Sequence, residues 1–203
     1  MKNSKPIIMI DFGGVYFRSV RPVARKIEHK FHISRKIIDY TLWYGPYWKK
    51  YAEGRSNKDE YWNNVSKKLK ISNEQTKWIR KTCYSYFIPQ KGMAKLVKAL
   101  KRKYKVVVLS SQIEDWIKFL EKKYKLSKRF HEQHYSFNYG VDKPSVRLFK
   151  SAAKKMKTKP ENCIVIDDNK VFLSGIKKTG ARTIHFKNSK QLETQLRKMG
   201  IEI

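Results

Sequence analysis

The sequence is poor in acidic residues and in cysteine. It holds 17 Asp and Glu against 47 Lys and Arg, which gives the 203 residues a formal net charge of +30. Its two cysteines, Cys83 and Cys163, lie far apart, and Cys163 opens an apolar segment. A buried, reduced thiol is the state expected there. So little cysteine is typical of a reducing compartment, and we expect a cytoplasmic location.

Long hydrophobic runs are also absent. No apolar run reaches the roughly 18 residues of a membrane-spanning helix, so we expect no membrane partner. Residues 1–5 lead directly into an apolar strand pattern without the long apolar core and cleavage site of a secretory signal, and none is expected. Gly-rich nucleotide loops of the Walker and Rossmann types are missing as well. The segment 131–134 has two histidines but not the spacing of a zinc hydrolase, and we predict a loop there.

The excess of positive charge is spread along both halves of the chain rather than gathered in a tail. One interpretation is nucleic-acid binding. The other is a general lysine bias that attracts anions without specificity. Many lysines fall on helical faces, as Lys95, Lys98 and Lys101 do, which favours the second interpretation. An anionic substrate fits both, nucleic acid stays open but is not favoured, and the chain is compatible with a monomer or a homodimer.

Short apolar runs bounded by turn residues predict five strands. They cover residues 6–11, 105–110, 133–137, 163–167 and 182–186. Segments with helical spacing alternate with the later strands, at 114–124, 145–156, 170–179 and 190–199. This alternation predicts an α/β fold, a Rossmann-like core with a parallel sheet and right-handed crossovers.

The stretch between the first two predicted strands is too long for a simple crossover. It contains only helical patterns, at 23–31, 37–51, 61–69 and 74–86, and Gly45-Pro46 and Gly54 break the pattern. Ser56 with Asp59 resembles a helix start. We predict a helical cap domain over residues 19–88, inserted into a core domain of residues 1–18 and 89–203. Its aromatic residues are expected to fill its own core; they are Trp43, Tyr44, Tyr47, Trp48, Tyr51, Trp62 and Trp78.

Polar residues end three of the predicted strands, and a lysine lies just before a predicted helix. The carboxyl ends of parallel strands share one edge, where open α/β sheets bind their ligands. Adjacent acids such as Asp167 and Asp168 raise each other's pKa unless a cation is near, and carboxylates with backbone carbonyls suit Mg²⁺. The residues that this edge would collect are Asp11, Gly13, Gly14, Ser110, Ser111, Lys143, Asp167 and Asp168.

Four segments, in this order and spacing, resemble the motifs of the haloacid dehalogenase-like (HAD) hydrolase superfamily. They read Ile-Met-Ile-Asp-Phe-Gly-Gly-Val at 8–15, Val-Val-Leu-Ser-Ser at 107–111, Gly-Val-Asp-Lys-Pro at 140–144 and Ile-Val-Ile-Asp-Asp-Asn at 164–169. The resemblance covers nearly the whole chain. The resemblance is greatest to phosphatases with a helical cap inserted after the first motif. The segment 51–54 also resembles the cap of this subgroup. The family usually has Asn where this chain has Ser111.

The resemblance implies a Mg²⁺-dependent phosphatase that hydrolyses a small phosphorylated metabolite, a sugar phosphate or a similar compound, through an aspartyl-phosphate intermediate. In that reaction Asp11 would be the nucleophile, and Ser110 and Lys143 would complete the catalytic set. The implied phosphate-binding residues are Ser110, Ser111, Lys143 and Gly14. The implied Mg²⁺ ligands are Asp11, the backbone carbonyl of Gly13, Asp168 and Asp167.

Gly13 departs from the family pattern, in which a second Asp stands two residues after the nucleophile. That Asp protonates the leaving oxygen and then activates water, and such help is worth about 10²–10⁴-fold. We therefore expect a preference for good leaving groups, such as anomeric, acyl or aryl phosphates. Dehalogenation is disfavoured, because it needs no Mg²⁺ and would not require Asp167 and Asp168. The alternatives are a basic nucleic-acid-binding or regulatory protein with weak or no catalysis, and a polynucleotide-end phosphatase.

Overall fold

The computed structural model describes residues 5–203. Residues 1–4 lie outside the described residues. They make up most of the segment 1–5, in which no secretory signal is expected. One parallel sheet of five strands forms in the order β3-β2-β1-β4-β5. This confirms the predicted α/β, Rossmann-like fold. The strands are β1 Ile7–Ile10, β2 Val106–Ser110, β3 Glu132–Tyr135, β4 Cys163–Asp167 and β5 Arg182–His185.

Helices cover both faces of the sheet. Those of the described residues are α1 Val23–Phe31, α2 Arg35–Asp39, α3 Pro46–Ala52, α4 Lys58–Leu69, α5 Asn73–Tyr86, α6 Met93–Lys101, α7 Glu114–Tyr124, α8 Leu126–Arg129, α9 Arg147–Lys155, α10 Lys170–Lys177 and α11 Ser189–Lys198. A π-helix spans Tyr40–Tyr44, and 3₁₀ turns span Ser136–Asn138 and Pro160–Asn162. Within residues 5–203 no helix is both long enough and apolar enough to cross a bilayer.

Side chains of β1 alternate between two buried layers. Ile8 and Ile10 pack with α6, α7 and α11 on one face, while Ile7 and Met9 pack with α9 and α10 on the other. A strand buried on both faces reads as a continuous apolar run, which is why β1 was visible in the sequence. The order of the sheet places β2 on one side of β1 and β4 on the other. The chain runs outward from β1 through β2 to β3 and then returns across the sheet to β4, so the strand order reverses beside β1. At such a reversal a crevice opens at the carboxyl ends of the strands.

Residues 19–88, which we call the helical insert, contain α1 to α5 and no strand of the sheet. The chain leaves and re-enters the core at one place, since the Arg18 N–H donates to the Ile88 carbonyl at 2.9 Å and Phe17 bridges to Pro89. These contacts lie at the predicted boundaries. That the insert forms a separate cap domain stays a prediction.

Two local features of the insert compare differently with their predictions. The helical pattern over 37–51 is broken at Gly45-Pro46, as predicted, and it forms α2, the π-helix and α3. A Cβ at Gly45 would lie 2.6 Å from the Tyr40 carbonyl oxygen, and Pro46 is the first residue of α3. The cap of α4 is Asn57 rather than Ser56, because the Asn57 side chain accepts the N–H groups of Asp59 and Glu60.

The loop predicted over 131–134 is wrong, and the strand predicted over 133–137 is present but begins and ends earlier in the chain. Strand β3 begins at Glu132 and forms the edge of the sheet beside β2. His134 is buried there, with its Nε2 3.2 Å from a Glu132 carboxylate oxygen. Polar side chains on an edge strand weaken the apolar pattern from which strands are predicted. The expected buried thiols are present at Cys83 and Cys163, which are both free and buried.

Candidate active site

Three carboxylates meet where β1 and β4 end. Asp11 follows β1, Asp167 is the last residue of β4, and Asp168 comes next. One oxygen from each lies within 4.8 Å of the other two. Asp11 and Asp167 are buried, whereas Asp168 is exposed. Oxygen ligands gathered this closely fit a hard cation such as Mg²⁺, which is bound through one or two carboxylates together with substrate oxygens and water.

Lys143 joins this cluster from the loop before α9. Its Nζ lies 2.6 Å from Oδ1 of Asp11, 2.6 Å from Oδ2 of Asp167 and 3.1 Å from the carbonyl oxygen of Leu109. The ammonium also lies 4.9 Å from the centroid of the Phe172 ring. The structure therefore brings together the lysine and the three acids that the sequence placed on separate elements.

Burial and charge set the protonation of these groups. The pKa of Asp11 is raised from 3.8 to about 7 overall, because burial and the Asp167 charge raise it by more than Lys143 lowers it. Partial desolvation of the Asp168 carboxylate within the cluster, together with the Asp167 charge, also raises the pKa of Asp168. Burial lowers the pKa of Lys143, but the carboxylates of Asp11 and Asp167 outweigh it and raise that pKa overall. Three acids with one ammonium leave an excess of negative charge that a divalent cation would neutralise.

The two glycines after Asp11 have different surroundings. Gly14 has φ +82°, and a Cβ on it would lie 2.3 Å from Oδ2 of Asp168. The Gly14 N–H donates to the Phe17 carbonyl, so the predicted phosphate contact of Gly14 stays a prediction. A Cβ on Gly13 would meet nothing within 4 Å. A side chain at position 13 would therefore point into open space beside the carboxylates.

Ser110 and Ser111 follow different paths at the end of β2. The Ser110 hydroxyl oxygen accepts a hydrogen bond from Nε2 of Gln112 at 3.2 Å, which leaves its own hydrogen free to donate. The Ser111 hydroxyl oxygen accepts from the Lys143 backbone N–H at 3.0 Å. Burial raises the pKa of Asp142, and a hydrogen bond with Ser111 lowers it in part. Ser111 thus holds the loop that carries Lys143, and its direct contact with phosphate stays a prediction.

A cavity of about 850 Å³ opens above this cluster. The carboxylates, Ser110 and Lys143 line its core side, and the helical insert forms the opposite wall. That wall carries Trp43, Trp48 and the carboxylate of Glu53, which pairs with Arg55. The residues that the helical insert contributes to the cavity lining are Ser19, Val20, Arg21, Trp43, Tyr44, Trp48, Lys49 and Glu53.

Some aromatic residues of the insert lie in its buried core, and others lie at the cavity. Tyr51 and Trp62 are buried, as predicted. Trp43 and Trp48 are buried too, yet they also line the cavity, which the sequence did not indicate. Tyr44 is 57% exposed and lies at the cavity rather than in a core.

Sequence reasoning also missed Gln112 and Trp116, which line the cavity from the core side. Gln112 lies in the loop directly after the second motif, and Trp116 lies in the first turn of α7. Their closeness in the chain to Ser110 and Ser111 is the signal that could have found them. The Trp116 ring lies 5.3 Å from that of Trp48, so core and insert meet in an aromatic contact at the edge of the cavity.

Comparison with known proteins decides the family. Residues 7–180 match the haloacid dehalogenase-like hydrolases. The chain belongs to this family. An uncharacterized protein of Dictyostelium discoideum is 27% identical over 148 residues, which are 71% of this chain. The match spans 64% of that relative's own length.

Solved structures of HAD proteins share the fold. A HAD family enzyme from Bacteroides thetaiotaomicron matches with a TM-score of 0.81 and 19% identity, over 95% of this chain and 98% of that one. Its complex with magnesium and inorganic phosphate matches with a TM-score of 0.73, 18% identity and coverage of 92% and 96%. An L-2-haloacid dehalogenase from Xanthobacter autotrophicus, with chloropropionic acid covalently bound, matches at 0.66 and 17%, over 98% of this chain and 85% of that one.

Proposed function

We propose that this HAD-like hydrolase is a Mg²⁺-dependent phosphatase for a small phosphorylated metabolite, a sugar phosphate or a similar compound. The single observation that carries the proposal is the position of Lys143, which bridges Asp11 and Asp167 beside Asp168. The Bacteroides enzyme of the same fold binds magnesium and inorganic phosphate, which supports the choice. Asp11, Asp167, Asp168 and the Gly13 carbonyl would hold Mg²⁺, which would neutralise phosphate charge as the phosphoryl group is transferred.

Asp11 is the proposed nucleophile. Lys143 holds its Oδ1, and Oδ2 forms no hydrogen bond within the described residues. In the first step an Asp11 oxygen bonds to phosphorus, the bond from phosphorus to the leaving oxygen breaks, and the leaving group departs with that electron pair. In the second step the oxygen of a water molecule bonds to phosphorus, the bond from phosphorus to the Asp11 oxygen breaks, and its electron pair returns to the Asp11 carboxylate; inorganic phosphate leaves with the protons of the water. Lys143 and the Ser110 hydroxyl would neutralise and orient the phosphate oxygens through both steps.

The leaving group would depart without a nearby carboxylic acid at position 13. Glu53 is the carboxylate that the described insert contributes to the cavity lining, and it is paired with Arg55. Asp142 also lines the cavity, where its Oδ1 accepts the Lys143 backbone N–H. With neither of these acids standing at position 13, we propose that water is the proton source for the leaving oxygen. Leaving groups that are stable as anions gain most from such a site, so we propose anomeric, acyl or aryl phosphates as the preferred substrates.

Phosphate release from a panel of phosphorylated metabolites tests this function, with and without Mg²⁺. The wild-type protein should release phosphate only with Mg²⁺, and Asp11→Asn should release essentially none although it folds. Near-zero release from both proteins would refute the phosphatase. Halide release from 2-chloropropionate without Mg²⁺ would point to a dehalogenase instead.

Nucleic acid is a second candidate partner, and one surface feature favours it. A groove of about 440 Å³ on the insert is lined by Arg25, Lys26, His29, Lys30 and Trp78. Basic side chains around an aromatic ring suit a single strand, whose phosphates and bases contact them together. Titration of a labelled oligonucleotide at rising salt would test it: Lys26→Glu should weaken binding and reduce the salt slope, and a 5′- or 3′-phosphorylated oligonucleotide in the panel would reveal end hydrolysis.

A further inference from the structure

One buried carboxylate of the core contacts several helices of the insert. Asp115 lies in the first turn of α7 and is 7% exposed. Its Oδ2 accepts hydrogen bonds from Nε1 of Trp62 at 3.2 Å and from the Tyr84 hydroxyl at 3.1 Å. The Arg80 guanidinium lies 3.5 Å from the same oxygen. These partners stand on α4 and α5, so one oxygen atom connects the core to two helices of the insert.

A third helix joins through the backbone of the same residue. The Asp115 N–H donates to the Tyr51 hydroxyl, on α3, at 3.2 Å. Burial and the Asp115 charge together raise the pKa of Tyr84 to about 12, so this hydroxyl remains a donor at neutral pH. The side-chain donors all contact Oδ2, while Oδ1 is buried without a hydrogen-bond partner among the described residues. The donors on Oδ2 offset part of the cost of burying this carboxylate, and they would themselves be left unsatisfied without it. The Asp115 carboxylate on the core and its donors on the insert therefore stabilise each other's positions.

The chain links this contact directly to the cavity. Trp116, the next residue, lines the cavity and packs on Trp48 of the insert. Ser110 lies five residues before Asp115, at the end of β2, and Gln112 between them reaches the Ser110 hydroxyl. A shift of the insert at Asp115 would thus move one cavity wall relative to the phosphate site.

We propose that Asp115 is a positioning residue that clamps the helical insert onto the core and so holds Trp48 and Glu53 over the phosphate site. The kinetic consequence rests on the proposed function, whereas the clamp itself does not. Without the carboxylate, Trp62 and Tyr84 lose their acceptor, and the insert loosens at this face. A substrate whose leaving group fills the cavity would then bind less tightly, while one too small to reach the insert wall would not be affected.

Asp115→Ala and Asp115→Asn test the clamp kinetically, with Glu114→Gln as the matched control. Glu114 precedes Asp115 in the same helical turn but is exposed and pairs with Lys118. For p-nitrophenyl phosphate, Asp115→Ala should raise KM about tenfold, the scale of one lost charge-assisted hydrogen bond. Asp115→Asn, which keeps an acceptor oxygen, should raise it less. For acetyl phosphate all variants should stay within about twofold of wild type, which is less than the effect of one typical hydrogen bond.

Hydrogen exchange gives a second readout that needs no activity. Amides of α4 and α5 should exchange faster in Asp115→Ala than in Glu114→Gln. If Asp115→Ala does not fold, Tyr84→Phe and Trp62→Phe each remove one donor from the insert side and should shift both readouts in the same direction by less. Unchanged exchange, or equal KM changes for both substrates, would overturn the clamp. A wild-type protein inactive on every phosphate ester would refute the proposed function, and exchange would still decide the clamp.

Discussion

The ammonium of Lys143 lies 2.6 Å from a carboxylate oxygen of Asp11 in a largely buried ion pair. The same Nζ lies 2.6 Å from Asp167 and 3.1 Å from the Leu109 carbonyl, so it ties together the ends of β1, β4 and β2. Removing one partner from a buried ion pair leaves an uncompensated charge, which is strongly destabilising. The ends of the three strands therefore depend on one another, and so does the charge state of Asp11.

Asp11→Asn should change stability in a pH-dependent way when Mg²⁺ is chelated. The folded-state pKa of Asp11 is raised from 3.8 to about 7 by burial, so its favourable contribution is fully present below pH 3.8 and is lost as the pH rises through 7. Above pH 7 the folded state carries the cost of an ionised buried carboxylate, which Asn does not have. The difference in the free energy of unfolding, variant minus wild type, should therefore rise by on the order of 1–3 kcal/mol between pH 5 and pH 8. Urea denaturation at both pH values measures it, and a pH-independent difference would contradict the raised pKa.

Mg²⁺ should stabilise the folded protein through the three carboxylates. At a concentration about 100 times its Kd, a ligand that binds only the folded state adds about 2.7 kcal/mol to the free energy of unfolding. Asp168→Asn should lose most of this gain. Glu193→Gln, on α11 far along the chain from the cluster and paired with Arg197, should keep it. Thermal unfolding with a magnesium titration measures the effect, and an equal gain in Asp168→Asn would show that the cation binds elsewhere.

Gly13 and Gly14 offer a matched pair of alanine substitutions. Gly14→Ala forces a side chain into φ +82° and toward the Asp168 carboxylate, so it should cost about 1–3 kcal/mol and weaken Mg²⁺ binding. Gly13→Ala meets no neighbouring atom within 4 Å and should stay close to wild type in both respects. Denaturation and magnesium titration of the two variants are compared directly. If Gly13→Ala were the more damaging one, the assigned geometry of this turn would be wrong.

Gly13→Asp should supply the acid that the cavity lacks at this position. The open space beside Gly13 accepts a side chain, and an acid there would protonate poor leaving groups. With a series of phosphate esters, the variant should raise kcat/KM by about 10–100-fold for alkyl phosphates and change it little for p-nitrophenyl phosphate. Gly13→Asn is the control of similar size without the acid. A plot of log kcat/KM against leaving-group pKa that has the same slope in all three proteins would contradict a missing proton donor.

The sheet and the three acids could be predicted from the sequence because they follow from short-range patterns. Strands buried on both faces leave continuous apolar runs, and residues that end parallel strands must meet at one edge of the sheet. Asp11 and Asp167 were found in this way. The predicted metal and phosphate roles of these residues also depended on resemblance, and they await experiment.

The insert was less predictable, because the direction of its side chains depends on how it packs against the core. Trp48 looks like a core residue in the sequence, and only the packing of α3 against α7 shows that it also lines the cavity. Asp115 looks like an ordinary acid in the first turn of a helix, a position that favours acids in any case. Its contacts with Trp62 and Tyr84 join residues 53 and 31 positions apart, which no local pattern reveals.

Phosphorylation of Asp11 during turnover tests the central claim most directly. The protein is mixed with Mg²⁺ and acetyl phosphate or p-nitrophenyl phosphate, quenched in acid within a single turnover, and analysed by mass spectrometry. We predict that one phosphoryl group is attached to Asp11 and that it disappears as inorganic phosphate is released. Asp11→Asn should show no such adduct. Phosphate release by the wild-type protein with no adduct at any time, or an equally active Asp11→Asn, would contradict the account.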